Sequence, residues 1–110
     1  MANSNPHKIP RRARALLART LAADLPESLI EWVSEALVTG TIPQRVPPRL
    51  NSPNLRALHE KEAALYWIAS DLWHLHCLVY RDAFKTPWKT KRVAMRLTTL
   101  EYSLYKYEKL

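Results

Sequence analysis

The chain has 110 residues, with 17 Lys and Arg against 10 Asp and Glu, one Gly, eight Pro and one Cys. That length holds one domain with a modest core, and a hydrophobic content of 47% sets it apart from disordered tails. A single Gly excludes phosphate-cradling loops and nucleotide-binding α/β folds, which need Gly for positive φ or close backbone approach. A single Cys excludes a disulfide framework or a cysteine-rich zinc module.

Residues 1–9, polar and carrying Pro6, read as a flexible N-terminal arm, and residues 10–110 as one helical domain. Pro10 suits a first helical turn, where its missing N–H costs nothing. The Ala-, Leu- and Arg-rich stretch after it predicts a helix over 10–23, with Ala13, Leu17 and Leu21 on one face and Arg12 and Arg19 opposite. The stretch is similar to a mitochondrial presequence in being Arg-rich and acid-free. Ser is scarce, however, Pro10 interrupts it, and its removal would leave few residues to close a core.

A second helix is expected over 26–39, with Glu27 favoured in its first turn by the helix dipole. Leu29, Trp32, Val33, Ala36 and Leu37 form its apolar face, and Glu27, Glu31 and Glu35 the other. Gly40 suits its C-terminal cap. The crossover 41–52 holds Pro43, Pro47 and Pro48, a density that neither helix nor strand survives.

Ser52 followed by Pro53 marks the start of a long third helix, expected over 53–84. Leu58, Leu65, Leu72 and Val79 recur every seven residues, beside a second stripe of His59, Tyr66, Trp73 and Tyr80. Such a helix spans on the order of 45 Å at 1.5 Å per residue. Its polar side carries Arg56, Glu60, Ser70, Asp71, Arg81 and Lys85, and Trp67, His74 and Leu78 project to that side too. Thr86-Pro87 repeats the cap signal for a fourth helix over 87–109, whose seam is Val93, Leu97, Leu100, Leu104 and Tyr107. No segment alternates with a period of two between Gly turns. The expected fold is an all-α, single-domain irregular bundle of about four helices with one long central helix.

Chemistry is sparse. His74, His76 and Cys77 are the only dense group of metal-ligand types, and a structural zinc site wants four converging ligands. His59-Glu60 begins a zinc-protease pattern, but position 63 is Ala. Arg56 and His59 stand three apart, too close for the Arg and His pair of helical ribonucleases. Cys77 lies in an apolar stripe and reads as inert. The chain is therefore expected to be no enzyme, with no catalytic residue, metal, cofactor or small-molecule substrate. No apolar run approaches the roughly 18 residues of a membrane span, and the expected location is the cytoplasm.

Charge is the stronger signal. The formal net charge is +7. Lys8, Arg11, Arg12, Arg14 and Arg19 occur before any acid, and Lys85, Lys89, Lys91, Arg92 and Arg96 have none between them. Between the clusters lies the acidic second helix. Two such clusters favour an anionic partner, of which nucleic acid is the commonest large one. The candidate phosphate contacts are Lys85, Lys89, Lys91, Arg92 and Arg96, with Arg11, Arg12, Arg14 and Arg19 as a second patch. Trp67, His74, Trp88 and Tyr102 are candidate interface residues, because an aromatic among charges suits either base stacking or a protein hot spot.

In size, charge and helical content the chain resembles the small helical subunits of CRISPR effector complexes, which line a nucleic-acid path. It also resembles small phage inhibitor proteins. Neither resemblance carries a motif or transfers a residue. The expected function is a non-catalytic, nucleic-acid-associated subunit of a larger nucleoprotein assembly. The alternative is a phage- or plasmid-type inhibitor or adaptor that binds a protein partner through exposed Trp and Tyr and basic residues.

Overall fold

The computed structural model describes residues 8–48, 60–81 and 87–109. Among these residues four helices form: α1 (Arg11–Ala22), α2 (Glu27–Thr39), α3 (Glu60–Tyr80) and α4 (Lys91–Lys109), with a short 3-10 turn at Pro87–Lys89 before α4. The expected all-α bundle is what the chain adopts. Among the described residues the one strand-like feature is an isolated antiparallel bridge between Lys8 and Thr41. At 21 residues α3 is the longest helix, and α4 nearly matches it at 19. The Ser52-Pro53 start expected for the third helix lies outside the described residues, as does Lys85.

The termini of the helices follow local chemistry. Pro10 and Pro26 precede α1 and α2 in extended conformation and cannot continue a helix backwards. Gly40 ends α2 in the left-handed region, with φ 75°, and its N–H donates to the Ala36 carbonyl at 2.9 Å. A β-carbon there would have room but not the right backbone. Gly40→Ala is expected to cost about 1–2 kcal/mol, read as a lower denaturant midpoint at unchanged slope. The expected start of the fourth helix needs correction. Pro87 opens only the 3-10 turn, and Thr90 caps α4: its hydroxyl accepts from the Val93 N–H at 3.2 Å and its carbonyl from the Ala94 N–H at 3.1 Å.

The arm also ends earlier than expected. Ile9 is buried in the core, and its N–H donates to the Gly40 carbonyl at 2.9 Å, so Lys8 and Ile9 are tied to the end of α2. Residues 1–7 lie outside the described residues.

The bundle is two helix pairs joined by α1. The broadest packing is between α3 and α4, while α1 packs on α2 and on α4. Trp32, Leu29, Ile68, Leu72, Leu100 and Leu104 fill one continuous core. The expected seam of α4, Val93 to Tyr107, is buried throughout. Tyr107 also donates its hydroxyl to the Asp24 carbonyl, stitching α4 to the turn between α1 and α2.

Proline removes N–H donors from the crossover but leaves its carbonyls to be satisfied. Aromatic side chains supply the donors. Trp32 Nε1 donates to the Arg45 carbonyl at 3.0 Å, His76 Nδ1 to that of Pro43 at 3.2 Å, and Tyr80 Oη to that of Ile42 at 2.5 Å. Burial holds His76 below the usual imidazole range, so its ring stays neutral while it donates. Trp32 of α2, with His76 and Tyr80 of α3, therefore clasps the crossover.

Candidate functional site

On the other side of α3, its seam with α4 opens into two hollows that share Arg96. The larger encloses about 340 Å³. From α3 it is walled by Ala63, Ala64, Trp67 and Asp71, and from α4 by Arg96, Thr99, Tyr102, Ser103 and Lys106. The short side chains of Ala63, Ala64 and Ser103 leave the space between the helices. The smaller hollow, about 150 Å³, is lined by His74, Cys77 and Leu78 of α3 and by Arg92, Met95 and Arg96 of α4.

Large apolar side chains stand open along this seam. Trp67 is 55% exposed, Tyr102 61% and Met95 64%. Among the described residues no helix covers Trp67. Tyr66 braces it edge-on, with ring centroids 5.2 Å apart. Lys106 holds its ammonium 5.5 Å from the centre of the Tyr102 ring, so a cation sits at the lip of the larger hollow.

The floor of that hollow holds a group that helical periodicity places on the polar side of α3. Asp71 is only 2% exposed. Its Oδ1 accepts from the Thr99 hydroxyl at 2.9 Å and faces Arg96 Nη1 at 3.7 Å. Its Oδ2 is buried and has no hydrogen-bond partner among the described residues. Burial raises the Asp71 carboxyl above the usual carboxylate range, against the opposing pull of Thr99, Arg96 and His74. A carboxyl raised on folding destabilises the ionised fold. That cost is absent at low pH, where the folded and unfolded chains are both protonated, and it grows as pH climbs through the folded value. Asp71→Asn is therefore expected to raise the melting temperature near neutral pH, the gain vanishing towards about pH 4. Thermal melts of both proteins across that range check it.

No family model, curated protein or solved structure matches this chain. The reading of the site rests on its own geometry.

The residues expected at an interface separate in the fold. Trp67, His74, Arg92, Arg96 and Tyr102 come together along the α3–α4 seam. The His74 ring donates from Nδ1 to the Ser70 carbonyl at 2.7 Å. Lys89 and Lys91 are exposed at the start of α4, beside Arg92. Trp88 differs from expectation: it is half-buried and packs against the core, so it is no open anchor. The second basic patch is dispersed. Arg12 donates to the Thr98 hydroxyl on α4 at 3.2 Å, and Arg19 is neutralised by Glu108 at 3.0 Å. The Arg14 guanidinium lies beside Gly40, and Arg11 stays exposed on the first turn of α1. Leu78, expected on the polar side, is buried.

Lys106 and Asp71 were absent from the expected site. The Tyr102 and Lys106 spacing of four on one helix was the readable signal for Lys106. Among the described residues no three metal-ligating side chains converge, and no helix is long and apolar enough to cross a membrane.

Proposed function

We propose that this protein is a non-catalytic nucleic-acid-binding module, a subunit of a larger cytoplasmic nucleoprotein assembly, that meets phosphates along the α3–α4 seam. The observation that carries the reading is the interleaving of Arg92, Arg96 and Lys106 with open Trp67, Met95 and Tyr102 on one groove. Cations that track a backbone, next to aromatics on which bases stack, suit single-stranded nucleic acid. Lys89 and Lys91 extend the cationic strip at one end. The glutamates of α2 belong to the helix that packs on α1 and stay off the seam.

A salt series tests the proposal. Five phosphate contacts, by Lys89, Lys91, Arg92, Arg96 and Lys106, imply a slope of log affinity on log salt of about −3.5 for a single strand. Affinity should then fall roughly 100-fold between about 50 and about 200 mM salt. No binding of single-stranded DNA or RNA at the lower salt would overturn the proposal. That result would leave the second reading, a protein-binding inhibitor or adaptor. The openness of Met95, Trp67 and Tyr102 favours it, as aromatic and Met side chains are enriched at protein interfaces.

A further inference from the structure

We propose that the larger hollow is a slot for a single unstacked base that carries an exocyclic amino group. The inference rests on the nucleic-acid reading above and makes it specific. Three observations converge on it. The walls are aromatic: Trp67 on α3 and Tyr102 on α4 keep more than half of their surface open. The rim is cationic, from Arg96 and Lys106, which suits phosphates on either side of an inserted base. The floor carries an acceptor, since Asp71 lines the hollow and its buried Oδ2 has no hydrogen-bond partner among the described residues.

The chemistry of the floor selects the occupant. Oδ1 is engaged by the Thr99 hydroxyl and faced by Arg96, so one oxygen remains to accept one hydrogen bond. A cationic side chain from a protein partner would find the acceptor, but it would also meet Arg96 and Lys106 as like charges. A neutral N–H donor on a flat ring meets no such repulsion. Cytosine offers its N4 amino group, whereas thymine offers the O4 acceptor at the same edge. A carboxylate oxygen binds the first and repels the second. Leaving this acceptor unpartnered costs the fold stability, and a ligand N–H removes that cost on binding.

The test measures fluorescence anisotropy with oligo(dC), oligo(dT) and an abasic strand, all about 12 nucleotides long. The wild-type chain should bind oligo(dC) about tenfold tighter than oligo(dT), in the range of one base-edge contact. It should bind the abasic strand at least about tenfold more weakly than oligo(dC). Trp67→Ala, at an exposed position, should remove that advantage over the abasic strand. Asp71→Asn places an amide on the floor, which can donate to O4, and should erase or invert the preference for oligo(dC). A thermal melt confirms that each variant is folded. Equal binding of all three strands by the wild-type chain, with the steep salt slope retained, would overturn the slot and leave the phosphate reading standing. Failure to bind any strand at low salt would overturn both. A folded Asp71→Asn variant that kept the full wild-type preference would also overturn the slot.

Discussion

Replacing Lys89 and Arg92 together by Glu is expected to weaken binding of a single strand at least about 50-fold at about 50 mM salt. Each phosphate contact at that salt contributes nearly tenfold, and the introduced acids add repulsion. The salt slope should flatten by about 1.4, the share of two contacts on a single strand. Both side chains are exposed, Lys89 at the end of the 3-10 turn and Arg92 in the first turn of α4. The first turn of α4 contains no acid, although the dipole favours one there. The double variant should therefore melt at or slightly above the wild-type temperature. Normal binding by a folded double variant would confine the contact to the Arg96 and Lys106 end of the seam. Unfolding would show that the two cations hold the bundle together.

Trp32→Ala is expected to be the most damaging single change to the fold. Trp32 is fully buried among the largest core side chains, and truncating such a group costs about 3–5 kcal/mol. The whole stability of a domain is about 5–15 kcal/mol, so the variant stands near the edge of folding. A second effect is local. The indole N–H is the donor that satisfies the Arg45 carbonyl in a stretch poor in donors of its own. Trp32→Phe isolates this effect, because it keeps most of the core volume and loses the bond. Its expected result is a loss of about 1 kcal/mol and faster tryptic cleavage after Arg45, which is exposed and held by Glu35 at 2.9 Å. Equal cleavage of wild type and Trp32→Phe would show that the crossover is held without this bond.

What could be read from the sequence is what local chemistry decides. Four-residue spacing exposes the α4 seam, Gly40 announces a left-handed cap, and Pro10 and Pro26 bound their helices from one side. The start of α4 was misplaced because Thr86 and Thr90 are equally good caps locally. The 3-10 turn between them depends on packing, where Trp88 docks on the core. Helical periodicity puts Asp71 on the polar side of α3, because charge usually points to water. Its burial depends on Thr99 and Arg96, 28 and 25 positions along the chain, which no helical periodicity relates to it. The same distance in sequence hid the groove. Trp67 and Tyr102 were each legible as apolar side chains on a polar face, but their sharing of one hollow is a product of how α3 meets α4.

The lone bridge between Lys8 and Thr41 bears on self-association. A short antiparallel pairing at a surface is a seed for ladder growth and for recruiting the same segment from a neighbouring molecule. Beyond Thr41 the chain soon reaches Pro43, which has no N–H to give to a lengthening ladder. In the other direction Pro10 follows at once and the chain turns into α1. Pro10 and Pro43 thus stand on either side of the pairing as residues that cannot donate to it. The bundle thus fastens Lys8 and Ile9 to the end of α2, and among the described residues this pairing offers no edge on which fibrils could grow.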